Sequence, residues 1–251
     1  MDREEKDKME KRKTAVVIGG SRGIGRAVAL RLAKSGFDLL LTYQGNHEAA
    51  SATKREIEEL GRTCRTVAFN IAKYDEAQQV FLPELETLDS IDACVFNAGI
   101  CRDNVFALLP PADWHDVIDT NLNGFYHTVQ PVVFRMIQQR RGRIVAITSI
   151  SGDVGQAGQV NYSASKAGLA GAVRALAREV GPRGIFVNAV SPGVIDTEMT
   201  KDLPKEQILP LIPVRRYGTA EEVAAVVDFL CSEPAMYIQG QTIRVNGGMA
   251  E

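Results

Sequence analysis

The sequence predicts an open α/β fold, in which a parallel sheet of about seven strands is covered by helices on both faces. Short apolar segments rich in β-branched residues alternate with longer segments of helical periodicity. A glycine-rich turn joins the first strand to the first helix, and polar residues follow several strand ends. No linker, low-complexity segment or internal repeat interrupts this pattern over residues 14–251, so we expect a single domain.

The first half of the chain contains four predicted strands and three predicted helices. Thr14–Ile18 is short, apolar and ends at a glycine, and the next segment has apolar residues at helical spacing before Gly36. The same alternation then continues. The predicted strands are Thr14–Ile18, Phe37–Tyr43, Thr63–Phe69 and Ile91–Phe96, and the predicted helices are Gly23–Ser35, His47–Leu60 and Asp75–Leu88.

The second half repeats the pattern and completes the sheet. Two helical stretches follow the fourth strand, and a long helix separates the fifth strand from the sixth. The predicted helices are 114–121, 125–139, 161–180 and 220–231, and the predicted strands are 143–148, 185–190 and 242–245. Strands separated by helices of this length form parallel crossover units.

Composition excludes several classes of function. The formal net charge of -2 gives no general attraction to nucleic acid or to an anionic membrane. Residues 1–13 are charged and nearly free of apolar side chains, which predicts a flexible tail and not a signal peptide. No later segment is apolar for long enough to span a bilayer. The four cysteines lack metal-ligand spacing, so we expect no metal and a cytoplasmic location.

The glycine-rich turn between the first strand and first helix has the sequence Gly-Gly-Ser-Arg-Gly-Ile-Gly. Glycines permit a tight turn and let backbone N–H groups approach a pyrophosphate at the positive end of a helix. This context predicts a Rossmann-like, doubly wound domain that binds a dinucleotide. The loop residues expected to contact the cofactor are Gly19, Ser21, Arg22, Gly23, Ile24 and Gly25.

The end of the second strand predicts which dinucleotide is bound. NAD-specific sites usually carry a carboxylate there, whereas this strand ends Leu41-Thr42-Tyr43-Gln44. Arg22 offers a guanidinium that can pair with a 2′-phosphate, although it could equally be a solvated turn residue. The two features together favour NADP.

Tyr162 and Lys166 are four residues apart on a predicted helix, so their side chains share one face. A free tyrosine has a pKa of about 10, and a neighbouring ammonium should lower it towards neutrality, where an acid–base catalyst works best. Ser149 follows the fifth strand, at the edge where such sheets bind ligands, and can bind a carbonyl oxygen. Ser151 is a weaker candidate. Exposed Tyr–Lys pairs and serines in turns are common, which leaves a structural interpretation open.

These motifs together resemble the classical short-chain dehydrogenase/reductase family over Thr14 to Glu251. Within that family the chain is most similar to 3-oxoacyl-acyl-carrier-protein reductases, over 97–103, 158–168, 183–197 and 237–249. The matching motifs are Gly19, Gly23 and Gly25, Asn97-Ala98-Gly99, Asn121, Ser149, Tyr162 with Lys166, and Pro192-Gly193.

The resemblance implies a role for each matching residue. Tyr162 would protonate the carbonyl oxygen of the substrate, and Ser149 would orient it. Lys166 would hold the nicotinamide ribose, and Asn121 would order a water that passes protons to Lys166. The remaining cofactor contacts would come from Tyr43, Asn70, Ile71, Asn97, Ala98, Gly99, Pro192, Gly193, Ile195 and Thr197. Ile18 and Asn70 depart from the family's usual threonine and aspartate, which bears on the fit of the cofactor.

The resemblance also implies the substrate and the partners. A 3-oxoacyl thioester would be reduced by NADPH in fatty-acid, polyketide or polyene biosynthesis, beneath a lid over Thr197–Tyr217. An acyl carrier protein would dock on basic residues, for which Arg135, Arg174 and Arg178 are the candidates. Phe134 stands where such reductases have a second basic residue. The family implies a homotetramer built largely on 125–139 and 161–180, and association with a paralogous subunit is left open.

Other interpretations remain. A dehydrogenase of a sugar or secondary alcohol would share every catalytic residue. A non-catalytic NADP-sensing protein is disfavoured because such proteins typically lose the tyrosine or the lysine, and this chain keeps both. A serine hydrolase is also disfavoured, since no G-x-S-x-G motif encloses Ser149.

Overall fold

A computed structural model describes residues 12–250 of the chain. Seven strands form one sheet in the order β3-β2-β1-β4-β5-β6-β7, and every neighbouring pair is parallel. The strands are β1 Lys13–Ile18, β2 Phe37–Tyr43, β3 Cys64–Ala68, β4 Ala93–Phe96, β5 Gly142–Ile147, β6 Ile185–Pro192 and β7 Thr242–Val245. The predicted doubly wound α/β fold is confirmed.

The helices connect these strands and cover both faces of the sheet. Most of them follow the predicted positions. They are α1 Gly23–Lys34, α2 His47–Glu59, α3 Tyr74–Glu76, α4 Leu82–Glu86, α5 Pro111–Ile118, α6 Gly124–Gln139, α7 Ile150–Val154, α8 Val160–Val180, α9 Lys205–Ile208 and α10 Ala220–Leu230. None of the helices over residues 12–250 is apolar over a length sufficient to cross a membrane.

Two apolar layers hold the domain together, one on each face of the sheet. On one face α6 and α8 pack against β4 to β6, with Met136 and Leu169 fully buried. On the other face α1 and α10 pack against β1 and β5, where Leu32 and Val227 are fully buried. Each such side chain contributes about 1.5–3 kcal/mol of transfer free energy.

The register places the carboxyl ends of the central strands side by side. Ile18 at the end of β1 pairs with Phe96 of β4, which in turn pairs with Ala146 of β5. The chain moves outward from β1 to β2 and β3, then crosses back to β4 on the other side of β1. Ligands of such sheets bind where the strand order reverses in this way.

Some boundaries differ from the predictions. Lys13, assigned to the flexible tail, begins β1 and pairs with Phe37, whereas residues 1–11 of that tail lie outside the described part of the chain. The helix predicted over Asp75–Leu88 is divided into α3, a π-helical turn and α4, with Pro83 in the first turn of α4. Helix α7 was not predicted, because five residues are too few for a periodic signal.

Candidate active site

In the glycine turn after β1, Gly19 and Gly25 lie so close to neighbouring atoms that a residue with a Cβ does not fit at either position. Gly19 has φ +80°, and a Cβ there would lie 2.8 Å from the Cα of Ala98. A Cβ on Gly25 would overlap the carbonyl oxygen of Gly19 and lie 2.5 Å from Nδ2 of Asn97. The first turn of α1 is therefore pressed against the end of β4, as a pyrophosphate-binding loop requires.

Hydrogen bonds hold this turn in place. Asn97 donates from Nδ2 to the carbonyl oxygen of Gly19 at 2.8 Å. The backbone N–H groups of Gly19 and Gly20 both donate to the carbonyl of Thr42, and the hydroxyl of Thr53 donates to the carbonyl of Ser21 at 3.1 Å. The turn is thus tied to β2, to β4 and to α2.

Arg22 occupies the N-cap position of α1, and its side chain pairs with the segment that follows β6. Its guanidinium pairs with the carboxylate of Glu198 at 3.0 Å, and both side chains are largely exposed. Glu198 follows Thr197, and a Cβ on Gly23 would lie 3.7 Å from Cγ2 of Thr197. The segment after β6 therefore lies against the glycine turn. Sequence reasoning missed the pairing of Arg22 with a carboxylate.

The predicted contacts at the adenosine end lie at the ends of β2 and β3. Tyr43 forms a hydrogen bond through its hydroxyl with Nδ1 of His47 at 2.9 Å. The side-chain oxygen of Asn70 accepts a hydrogen bond from the N–H of Ala72, and its backbone N–H donates to Glu76, which lowers the pKa of that carboxyl. Ile71 is buried. An amide at position 70 is thus partly engaged in its own turn.

Ser149, Tyr162 and Lys166 meet at the carboxyl end of β5. Ser149 is the N-cap of α7, and its hydroxyl accepts a hydrogen bond from the N–H of Ser151 at 3.2 Å. Tyr162 and Lys166 lie one turn apart on α8, with the lysine Nζ 5.7 Å from the centroid of the phenol ring. Nζ also donates to the carbonyl of Ile147 at 2.9 Å. The structure thus brings together the three side chains that the sequence predicted to be catalytic.

Electrostatics at this site differ from the prediction of an acidic phenol. Burial raises the pKa of Tyr162 above its usual value near 10, Cys101 and Asp103 raise it further, and only the Ser149 hydroxyl opposes them. Burial also lowers the pKa of Lys166 to about 8. The lysine does not make this phenol acidic, because desolvation dominates and Nζ is bound to a backbone carbonyl. The prediction that Lys166 lowers the pKa of Tyr162 was therefore wrong.

Asn121 is fully buried within a π-helical turn over Asp119–Asn123. Its Oδ1 accepts from the N–H of Ile100 at 2.8 Å, and its Nδ2 donates to the Ile100 carbonyl at 3.0 Å and to Ser165 at 3.1 Å. A Cβ on Gly99 would lie 3.2 Å from both Asn121 Oδ1 and Lys166 Nζ. Asn121 therefore braces the loop after β4 beside Lys166.

The loop after β6 completes the cleft. The N–H of Gly193 donates to the Val245 carbonyl at 3.0 Å, and a Cβ on Gly193 would lie 2.8 Å from the Cα of Asn246. Ile195 is buried and bridges to Gly218. Pro192 ends β6 directly before this turn. The loop is thus fixed at both ends, with Thr197 directed towards α1.

The three predicted docking arginines have different surroundings. Arg174 and Arg178 are exposed, one turn apart on α8. Arg135 donates to the carbonyls of Leu85 and Leu88 at 2.7 and 2.6 Å, so its guanidinium caps the end of α4. Arg135 therefore has a structural contact that sequence reasoning did not foresee.

Other polar residues near the site were also missed. Gln159 accepts a hydrogen bond from Ser151 at 3.0 Å and donates to Asp103 at 2.8 Å, which links α7 to the loop after β4. Asp153 accepts from Ser191 at 2.8 Å. Neither has a spacing signal in the sequence, because the contacts join distant segments. Within residues 12–250 no cluster of potential metal ligands is present.

The fold and the site together define a class of protein. The glycine turn lies at the start of α1, at the carboxyl edge of a parallel sheet, and a serine, a tyrosine and a lysine lie at the carboxyl end of β5, on the same edge. These are the elements of a nicotinamide-dependent oxidoreductase that acts on ketone or hydroxyl groups.

Comparisons with known proteins agree with this class. The family model described as enoyl-(acyl carrier protein) reductase matches residues 18–250. The chain is 46% identical over 238 residues to the 3-oxoacyl-[acyl-carrier-protein] reductase FabG of Aggregatibacter actinomycetemcomitans, covering 94% of this chain and 98% of the relative. It is 44% identical over 240 residues to the enzyme of that name from Staphylococcus epidermidis, with the same coverages. A 3-oxoacyl-[acyl-carrier-protein] reductase of a Synechocystis species is 45% identical over 236 residues, covering 94% of this chain and 96% of the relative. The chain belongs to the short-chain dehydrogenase/reductase family.

Proposed function

We propose that the protein reduces a 3-oxoacyl thioester, carried by an acyl carrier protein, to the 3-hydroxyacyl thioester with NADPH. The observation that carries this proposal is the meeting of Ser149, Tyr162 and Lys166 at the carboxyl end of β5, on the same edge of the parallel sheet as the glycine turn that follows β1. Support for the substrate comes from the relatives that align over nearly their whole length and are named for this reaction. The family model's own description names an enoyl reductase, so the two reactions need separate assays.

Each catalytic side chain has a distinct task in this proposal. The Ser149 hydroxyl donates a hydrogen bond to the substrate carbonyl oxygen and holds it beside the phenol. Tyr162 then gives its proton to that oxygen as negative charge develops on it. A phenol with a raised pKa is fully protonated at neutral pH, which suits the donor in the reductive direction. Lys166 supplies a nearby positive charge, and Asn121 keeps the adjoining loop in place.

The glycine turn fits a dinucleotide because side chains are excluded at the points of closest approach. When bound, the nicotinamide supplies the hydride, and the protein supplies position and charge. Gly19, Ser21, Gly23, Ile24 and Gly25 would hold the pyrophosphate at the start of α1. Among the other predicted contacts, Asn97, Ala98 and Gly99 would line the cleft, and Tyr43, Asn70 and Ile71 the adenosine end. Pro192, Gly193, Ile195 and Thr197 would hold the nicotinamide.

Arg22 supports NADP over NAD in this proposal. Its guanidinium is exposed at the glycine turn and pairs with the solvated carboxylate of Glu198, which a 2′-phosphate can displace. We expect NADPH to bind more tightly than NADH, and Arg22→Ala to reduce that difference. Kd values for both nucleotides, measured by fluorescence, test the point, and an undiminished preference in the variant would exclude Arg22 as the selectivity residue.

The reaction itself is tested by NADPH oxidation with acetoacetyl and longer 3-oxoacyl thioesters, compared with enoyl thioesters, sugars and secondary alcohols. We expect the 3-oxoacyl thioesters to give the highest kcat/KM. Tyr162→Phe should lower kcat by about 100- to 10,000-fold, the usual contribution of a general acid. Tyr43→Phe is the matched control, because it removes a hydroxyl from the nucleotide cleft but not the donor. Faster turnover of sugars or enoyl thioesters would refute the proposed substrate.

Carrier docking is assigned to Arg174 and Arg178, which are exposed on α8. Exchange of both for glutamate should raise KM for a carrier-bound substrate much more than KM for a small thioester. Lys34→Glu with Arg55→Glu makes the same change in net charge on α1 and α2, on the opposite face of the sheet. Equal effects of the two double variants on the carrier-bound substrate would refute docking at α8.

A homotetramer is proposed from the outer face of α6. Phe125 and Val129 are buried within the domain, whereas Tyr126 and Phe134 are more than half exposed on the same helix. Large apolar side chains left on a helix surface are typical of interfaces. Light scattering of the protein should give four times the chain mass, and Phe134→Glu should lower that mass.

A further inference from the structure

Helix α7 carries Ser149 but is too short to hold its own position. It spans only Ile150–Val154, and helices of this length are unstable without packing. One contact is with α8, where a Cβ on Gly152 would lie 2.8 Å from both the carbonyl carbon and the Cβ of Lys166. The backbone of α7 therefore rests directly on the catalytic lysine. Ser151 also donates a hydrogen bond to Gln159, directly before α8, so a contact towards β6 and β7 is needed to hold the other side of α7.

Asp153 provides that second contact. Its Oδ2 accepts a hydrogen bond from the Ser191 hydroxyl at 2.8 Å and from Nε of Arg244 at 3.2 Å. Ser191 and Arg244 are direct partners in the register of β6 and β7, so they present adjacent side chains to the same carboxylate. The Asp153 side chain is 13% exposed, and Ser191 is 1% exposed.

The position of this cluster connects two parts of the active site. Ser191 immediately precedes Pro192-Gly193, the turn that leads to Ile195 and Thr197. Asp153 lies four residues after Ser149, in the short helix that Ser149 caps. The carboxylate thus joins the segment that carries the catalytic hydroxyl to the strand end from which the nicotinamide loop begins.

We propose that Asp153, held by Ser191 and Arg244, is a positioning residue that fixes the Ser149 hydroxyl relative to Tyr162. The proposal rests on the proposed function, because it assigns Asp153 to the same reaction. A hydroxyl that moves by about 1 Å loses catalytic effect on the order of 100-fold, so a loosened α7 should lower kcat more than it affects substrate binding.

The test combines two substitutions and a matched control. Asp153→Ala should lower kcat about 10- to 100-fold and change the Kd for NADPH less than about twofold. Asp153→Asn, which can still accept from Ser191, should retain more activity. In a Ser149→Ala background, Asp153→Ala should cause little further loss, because residues that act together are not additive. Asp228→Ala removes a similar carboxylate, 17% exposed and 3.0 Å from Nε of Arg31 on the other face of the sheet. Its kcat should stay within about twofold of the parent.

The outcomes separate the two proposals. An inactive parent enzyme would refute the proposed function, and then amide hydrogen exchange over residues 150–154 decides the positioning role. Exchange there should be faster in Asp153→Ala than in Asp228→Ala. With an active parent, an unchanged kcat in Asp153→Ala would overturn the positioning role. Fully additive losses with Ser149→Ala, or an equal loss in Asp228→Ala, would also overturn it.

Discussion

Replacing Lys166 with methionine should change how the stability of the protein depends on pH. Lys166 is 3% exposed, and burial lowers the pKa of its ammonium group from 10.5 to about 8. Each pKa unit corresponds to about 1.36 kcal/mol, so the buried positive charge costs about 3 kcal/mol of folding free energy below pH 8. Methionine has a similar shape and carries no charge, so it removes that cost.

The sign follows from proton binding. Between pH 8 and 10.5 the unfolded chain keeps the proton on Lys166 while the folded protein loses it. The free energy of unfolding of the parent therefore rises with pH relative to the Lys166→Met variant. At pH 7 the variant also leaves the Ile147 carbonyl without its donor, which costs about 1–3 kcal/mol and offsets part of the gain. The change with pH isolates the contribution of the charge.

Urea unfolding of both proteins without added nucleotide, at pH values from 7 to 10.5, measures this difference. The parent should gain about 3 kcal/mol on the variant across that range. Lys54→Met is the control, since Lys54 is 41% exposed, and its difference from the parent should not show this rise. Parallel curves for the parent and Lys166→Met would show that the charge of Lys166 is not destabilised in the folded protein.

Three further perturbations test the cleft and its surroundings. Glu198→Gln frees Arg22 and should tighten NADPH binding by up to about fivefold, the value of an exposed ion pair, with no change for NADH; equal tightening for both would contradict the pairing model. Gly25→Ala would overlap the Gly19 carbonyl and should abolish nucleotide binding measured by fluorescence, whereas Gly45→Ala, which meets no atom within 4 Å, should not. Glu222→Gln removes the partner of Arg216 and of the Thr219 N–H, which hold the pKa of Glu222 at about 2. It should lower Tm at neutral pH, and because the stabilisation requires the ionised carboxylate, the difference should shrink as pH falls from 4.5 towards 2.

The fold was predictable because its signals are local. Residues 15–18 are apolar and are followed by a glycine turn and then by helical spacing, so the first strand, turn and helix are all encoded within residues 14–36. That Tyr162 and Lys166 share one face was predictable for the same reason, since one helical turn relates them. The helix predicted over 75–88 is divided just before Pro83, which lies in the first turn of α4; helical periodicity alone did not indicate the break, although a proline inside a helical pattern can signal one.

The sequence alone was sufficient for the parallel α/β class and the glycine turn, because these depend on short-range periodicity and on strand ends. The serine, tyrosine and lysine of the site also needed the family resemblance, because their spacing alone left a structural interpretation open. Only the tertiary structure revealed three sets of contacts: those of Asp153 with Ser191 and Arg244, of Arg22 with Glu198, and of Arg135 with α4. The tertiary structure also decided the pKa of Tyr162, which burial raises although the sequence predicted a lowered value. Each of these joins segments far apart in the chain or depends on burial, and both are set by how the helices pack on the sheet.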